Sequence, residues 1–453
     1  MEQERHSFSG KLGFVLSAAG ASVGLGNIWR FPYLAAQYGG GIFLLTYIIL
    51  AVTFGYTMIM SETALGRKTA LSPVGAFAAY GNKPLNKAGG WINALIPMLI
   101  VPYYSVIGGW VCRYLFAYIT TYPEIIMGET YFTDFLGNGK AQIFWFLIFI
   151  LMDLVIIYMG VENGIERVSK FVMPILVILA LIVMVYSMRL PGAMEGVRYF
   201  LIPDFSRFSW MTLAAALGQM FYSLSIAMGI LVTFGSYMKK DTDMEQSAVQ
   251  VEIFDTGIAI MAGLMIIPAV FSFSGGDPEA LKSGPSLMFM TMPKIFASMG
   301  GGRFIAIIFF VLVLFAALTS AMALTESCVS TMEDEFRWSR QTSTLVLGVV
   351  MAGLGTLSCL GFNVLSFVKI LGMDFLDFFD FLTNSLMMPV SAILICLLIL
   401  KQTGIEAIEE EVMISSAFKR RKLYRFVLKY LAILFLGVIL ITSIANAFGL
   451  IHI

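Results

Sequence analysis

Charge is scarce in this chain. Of 453 residues only 13% are charged while 58% are hydrophobic, and the mean hydropathy is +0.85. A soluble globular protein carries about a quarter charged residues, so a water-facing surface around a single core is excluded. Lys plus Arg number 29, as do Asp plus Glu, which leaves no net charge and no basic field to hold a nucleic acid. Histidine is limited to His6 and His452, near the two ends, which argues against an internal histidine metal site. The four cysteines, Cys112, Cys328, Cys359 and Cys396, lie in apolar stretches without a CxxC pair; that pattern fits small buried side chains better than a redox or zinc centre. A cleaved signal is not expected, because no small-residue cleavage pattern follows the first apolar run. No nucleophile–base set, zinc spacing, phosphate loop or cofactor fingerprint is legible, so an enzyme is not expected. The GLGN of Gly24–Asn27 falls inside an apolar run rather than after a strand.

What the chain has in abundance is apolar sequence in runs of about twenty residues, the length that crosses a bilayer as a helix. Eleven spans are predicted, at 11–35, 41–65, 89–121, 141–160, 165–188, 209–238, 246–274, 303–332, 341–361, 373–400 and 424–449. The fold class is therefore an all-α polytopic membrane protein. Positive charge recurs on alternate loops: Arg67, Lys68, Lys83 and Lys87, then Arg167 and Lys170, Lys239 and Lys240, Arg337 and Arg340, and the KRRKLYR run from Lys419 to Arg425. The positive-inside rule then places the N-terminus in the cytoplasm, and an odd span count places the C-terminus outside. Two outer loops are long, 190–209 and 275–302, and in the second PSLMFMTMPKIFASM reads as a short amphipathic helix over the outer face. The acidic IEAIEEEV before the last span reads as a solvated cytoplasmic face.

Two spans look broken. From Phe14 to Arg30 the chain reads FVLSAAGASVGLGNIWR, with Gly20, Gly24 and Gly26 crowding an uncharged stretch. Unwinding inside a membrane is tolerated only where the freed backbone meets protein, water or an ion. The sixth run, GQMFYSLSIAMGILVTFGSY from Gly218, places small and hydroxyl residues at its own centre. Interrupted segments five spans apart suggest an inverted repeat with a site at the midplane, with 1–188 as the first half, 189–402 as the second, and 403–453 as a loop and an extra span; alternatively, small residues merely let helices approach. Unwound carbonyls and hydroxyls suit an alkali cation. Thr319 and Ser320 in FAALTSAMALTES either serve that purpose or bond back to their own helix. Asp255, inside VEIFDTGIAIMAGLMIIPAVF, is an intramembrane carboxylate and thus a functional candidate. Glu62 is another, or else caps N–H groups freed by the sixth-span break. Arg30 needs a partner, and Asp374, Asp377 and Asp380, three apart, lie near one helical face of the tenth span.

The motifs GLGNIWRFPY from Gly24 to Tyr33, GGG at Gly39–Gly41 and GQMFYSLS from Gly218 resemble the neurotransmitter:sodium symporter family, in its bacterial LeuT-type branch, and the resemblance covers essentially the whole chain. It implies a LeuT fold, a 5+5 inverted repeat with broken helices 1 and 6 plus one C-terminal span, in a bacterial inner membrane. It implies two Na+ sites, one on Ser22, Asn27, Ser223 and Asp255, the other on Gly20, Val23, Ala316, Thr319 and Ser320. An L-amino acid is then expected against Ser22, Leu25, Gly26, Ile100, Tyr104, Tyr222, Ser223, Ser225, Met228, Ser320 and Leu324, with Tyr104 and the N–H groups of Leu25 and Gly26 on its carboxylate. The implied outer gate pairs Arg30 with Asp380 under an aromatic lid of Tyr104 and Tyr222. The inner gate pairs Arg5 with Asp334, aided by Ser236 and Tyr237. Gly164 and Pro174 match a spacing associated with unwinding of the fifth span.

Three departures stand out. Tyr222 replaces the usual Phe, Asp255 replaces a frequent Asn, and the twelfth span is missing, which leaves a monomer or weak homodimer. Animal relatives bind chloride beside the first sodium, and a fixed carboxylate at Asp255 would remove that need. Leu25, Ile100, Met228 and Leu324 make the side-chain subsite apolar, so the expected cargo is a hydrophobic L-amino acid, aromatic or large aliphatic. A symporter for a small neutral amino acid such as alanine or glycine, and a non-transporting sensor of the same fold, are the alternatives. A channel would want a repeated pore segment or a charged ring, and the sequence shows neither.

Overall fold

In hydrocarbon every backbone N–H and C=O needs an internal partner. The computed structural model describes residues 6–81, 83–128, 130–275 and 286–450, and among these the chain meets that need with helices, apart from the isolated bridges Gly40–Pro203 and Ile370–Met373. Among the described residues nine helices are long and apolar enough to cross a membrane: span 2 (Gly41–Thr69), span 3 (Pro84–Thr120), span 4 (Gly139–Tyr158), span 5 (Val161–Met188), span 7 (Met244–Ser274), span 8 (Gly302–Phe336), span 9 (Arg340–Leu360), span 10 (Phe375–Thr403) and span 11 (Arg421–Asn446). Span 1 is a bent pair, Lys11–Ser22 and Gly26–Gln37, turned by 55°. The sixth position holds two half-helices, Trp210–Ser223 and Ile230–Ser236, joined by non-helical chain. Span 3 starts at Pro84, ahead of the expected 89, because proline is preorganised for a first helical turn.

The two breaks have different local causes. In span 1 the helix stops at Val23, in extended conformation, and restarts after Leu25. In span 6 Ser225, Ala227 and Gly229 take φ of +53°, +62° and +75°, and alternating left-handed residues cannot continue a right-handed helix. The freed groups are met by protein. The Ala227 N–H donates to Glu62 Oε1 at 2.8 Å, and its carbonyl accepts Asn93 Nδ2 at 3.1 Å. Glu62 therefore takes the capping role.

The acidic segment before span 11 is not a solvated face, contrary to the sequence reading. It forms a helix, Ile405–Met413, that buries Ile408, Glu409, Glu411 and Val412. Cations reach it from several elements: Arg67 Nε lies 2.8 Å and Lys240 Nζ 2.7 Å from Glu411 Oε1, while Arg421 and Arg425 both hold Glu409. On the opposite face the expected amphipathic piece is a helix over Leu287–Ser298 that buries Leu287, Met288 and Phe289; residues 276–285 of that loop lie outside the described residues. Phe8 packs on Tyr237 at one face, whereas Asn446 and Arg30 line a vestibule at the other. All four cysteines are buried and unpaired.

Candidate functional site

The two breaks face each other around a narrow cavity. All eleven residues expected to contact an amino acid line it, joined by Ala21, Gly24, Asn27 and Ile230. One end is polar: the Leu25 N–H points at the Tyr104 hydroxyl at 3.3 Å, so both groups reach the same place. Ile100, Met228, Ile230 and Leu324 supply the larger apolar side chains of the lining. Gly24 shows how tight the fit is. A Cβ there would lie 2.8 Å from Ser320 Oγ and 3.1 Å from the Tyr104 hydroxyl. Gly24→Ala is expected to weaken substrate binding by about 1–3 kcal/mol, the usual cost of overpacking, measured as binding of labelled amino acid to the purified protein.

Beside the cavity Asp255 is buried and fully engaged. Its Oδ1 accepts Asn27 Nδ2 and the Ser223 hydroxyl, each at 2.8 Å, and its Oδ2 accepts the Tyr47 hydroxyl at 2.8 Å. Asn27 Oδ1 in turn receives the Gly24 N–H at 3.0 Å, which ties the cluster to the break in span 1. Three of the four residues expected for the first sodium thus converge. Ser22 lines the cavity, with its hydroxyl bonded back to the Ala18 carbonyl at 3.2 Å. Tyr47 was not foreseen; the available signal was a tyrosine in mid-membrane, whose hydroxyl must find a partner. Gln219 was also missed. Its Nε2 holds the Gly26 carbonyl at 3.1 Å, clamping the restart of span 1.

A second polar point lies between spans 1 and 8. The Ser320 hydroxyl reaches the carbonyls of Gly20, Ala21 and Val23 at 3.2, 3.1 and 3.3 Å. Thr319 beside it donates to Phe315 and Ala316 carbonyls at 3.0 and 3.2 Å, the back-bonding alternative, which still leaves its oxygen lone pairs free to meet a cation. Hydroxyls among several carbonyls, without a fixed charge, form a donor set suited to an alkali ion.

Tyr104, Tyr222 and Leu25 separate the cavity from a wider vestibule that also holds Arg30, Asp377 and Asp380. The expected Arg30–Asp380 ion pair is not made directly. The Arg30 guanidinium lies 5.3 Å from the centre of the Tyr222 ring, and Asp380 Oδ1 accepts Asn384 Nδ2 at 2.6 Å and the Tyr103 hydroxyl at 3.1 Å. Asp374 does not share a helical face with Asp377, because it sits ahead of the helix and caps the Asp377 N–H at 2.9 Å. At the opposite face Asp334 accepts the Ser72 N–H at 2.7 Å, the Tyr237 hydroxyl donates to Glu326 at 2.7 Å, and Ser236 donates to the Thr233 carbonyl at 2.6 Å. Arg5 lies outside the described residues. Phe8 plugs this face, with its ring against Phe14, Phe234 and Tyr237.

A midplane cavity between two broken helices, barred from one face and screened from the other by two tyrosines, defines a secondary transporter. The model of the sodium:neurotransmitter symporter family matches residues 5–134 and 133–450, and the chain belongs to this family. A sodium-dependent transporter of Bacillus subtilis, YhdH, is 34% identical over 88% of this chain and 88% of its own. Another from Haemophilus influenzae is 33% identical over 86% of this chain and 88% of its own. The human sodium- and chloride-dependent GABA transporter 2 is 28% identical over 76% of this chain and 65% of its own. Among solved structures, MhsT in complex with L-phenylalanine superposes with a TM-score of 0.87 at 35% identity, covering 97% of this chain and all of that one. The protein is a sodium-dependent symporter with a LeuT-type fold.

Proposed function

We propose that the protein imports a hydrophobic L-amino acid, aromatic or large aliphatic, with sodium and without chloride. The observation that carries this is the lining of the cavity: the Leu25 N–H meets the Tyr104 hydroxyl at one point, and among the described residues no charged side chain stands beside the apolar Ile100, Met228, Ile230 and Leu324. A carboxylate at that point would face the restart of a broken helix, where N–H groups favour an anion. No charged residue among those described lines the cavity to balance a charged side chain. MhsT, similar over its full length, holds L-phenylalanine in its crystal structure.

In this reading one sodium ion sits against Asn27, Ser223, Asp255 and the carbonyl of Ser22. A second sits against the carbonyls of Gly20, Val23 and Ala316 and the hydroxyls of Thr319 and Ser320. Coupling is then a difference in ion and substrate affinity between two states of the spans. Outward opening parts Tyr104 from Tyr222; inward opening removes Phe8 and the Asp334 contacts. Phe8 marks the cytoplasmic face. Asp255 supplies the fixed negative charge that makes an added anion unnecessary. Labelled L-tyrosine, L-tryptophan, L-leucine and L-phenylalanine are expected to bind saturably in sodium and not in its absence. Uptake into proteoliposomes is expected to continue when chloride is replaced by gluconate. Binding without uptake would mark a sensor, and a strong loss in gluconate would overturn chloride independence.

A further inference from the structure

One carboxylate deep in span 4 takes no part in the cavity. Asp153 is 0% exposed and sits where span 4 meets span 8. Its Oδ2 accepts the Thr325 hydroxyl at 2.5 Å, and its Oδ1 has no hydrogen-bond partner. None of the ion pairs among the described residues includes it. Asp255 makes the contrast plain: three donors converge on its two oxygens, as a charged carboxylate requires.

Among the described residues the elements packed around Asp153 bring it no positive charge. On span 8, Glu326 follows Thr325 and Cys328 lies one turn on, both buried. Glu326 already holds Arg340 and the Tyr237 hydroxyl. Arg340, the only charged residue of span 9, is committed to Glu326, Glu333 and the Ile157 carbonyl. Span 3 carries charge only at Lys87 and Arg113, near its ends. The first turns of span 5, Val161–Glu166, bring an exposed Glu162 and a Glu166 that Ser9 and Lys170 hold. Asp134 lies at the far end of span 4. A buried carboxylate with one neutral donor and no cation leaves Oδ1 in need of a partner, which a bound proton supplies by making it a donor.

We propose that Asp153 binds a proton in this conformation and exchanges it with water at the inner face when Val161–Glu166 parts from spans 4 and 8. That segment packs on both span 4 and span 8. A Cβ at Gly164 would overlap the Ile156 carbonyl, so the segment is seated within one turn of Asp153. On opening, the Oδ1–H bond breaks, the electron pair stays on Oδ1 and the proton passes to water; on closing, the step reverses. The protonated form favours the closed inner face, so alkaline pH favours inward opening and acid pH opposes it. Intramembrane carboxylates that lack a cation are suited to such proton exchange.

Two measurements on the full chain test this. Infrared spectra in lipid at neutral pH should show a protonated-carboxyl band, shifted in D2O, in the difference between wild type and Asp153→Asn; a difference holding only carboxylate bands overturns the proposal. In proteoliposomes, sodium-driven L-phenylalanine uptake should rise with pH by up to about tenfold per unit, the limit for one linked proton. Asp153→Asn, fixed in the neutral form with the Thr325 acceptor kept, should take up more slowly and lose that component of the pH profile. An unchanged profile in the variant overturns the proposal. This second arm rests on the proposed transport function; if neither protein takes up any amino acid, that reading fails and the infrared result alone decides Asp153.

Discussion

Replacing Asp255 by Asn is expected to raise the sodium concentration for half-maximal substrate binding by about 100- to 1,000-fold. Unit charges about 4 Å apart attract with about 4 kcal/mol at an effective dielectric of about 20, or about three decades in affinity at about 1.4 kcal/mol each. Part of this is offset, because the carboxylate is itself costly to bury without the cation. The donors around it decide the rest. Asn27, Ser223 and Tyr47 hold both oxygens in place, so Asp255→Asn keeps the shape, loses the charge and leaves one donor facing another donor. Added chloride is then expected to recover part of the lost affinity by restoring a negative charge. Sodium titrations of labelled L-phenylalanine binding, with and without chloride, check both statements; an unchanged sodium curve would remove Asp255 from the cation site.

The sequence disclosed the site better than its surroundings, and the reason is local. Glycines and hydroxyls inside an apolar run contradict the helix around them, so the breaks at Gly20–Gly26 and Ser223–Gly229 are visible without any partner. Motif resemblance then assigned the residues that line the cavity. What stayed hidden depends on which helices meet. Tyr47 and Asp255 are 208 residues apart, as are no two groups that spacing alone would join. Glu411 and Arg67 are separated by 344 residues, so the IEAIEEEV segment reads as solvated until spans 2 and 11 close around it. Asp153 was passed over because LMDLVIIY looks like an ordinary apolar run, and one carboxylate leaves its hydropathy nearly unchanged. The outer gate differs for a conformational reason: Arg30 and Asp380 share a vestibule, and each has taken a nearer neighbour.

Glu411→Ala should destabilise the protein by about 3–5 kcal/mol, the cost of removing one member of a buried pair. The Arg67 side chain is 1% exposed and that of Glu411 4%, so water cannot replace the lost carboxylate without opening the helix Ile405–Met413. Arg67 would keep the Thr242 carbonyl at 3.1 Å and the Ser415 hydroxyl at 2.8 Å, neutral acceptors that cannot balance its charge. Lys240 binds the same carboxylate at 2.7 Å, but its side chain is 54% exposed; Lys240→Ala is therefore expected to cost no more than about 1 kcal/mol. Thermal inactivation of the two variants in detergent, followed by sodium-dependent binding, separates these cases. Similar losses in both would mean that the helix is held by its apolar contacts, Ile408 and Val412, rather than by Arg67. The distinction matters for transport, because this short helix and the loop after it tie span 2, which caps the break in span 6 through Glu62, to span 7, where Glu245 accepts the N–H groups of Lys419 and Arg420 just before span 11. Loosening it would release the inner ends of these spans together. Glu411→Ala is thus expected to lower the inner-face barrier as well as the stability, and the sodium-free protein should then show faster labelling of a cysteine placed at Ser9 than the parent does.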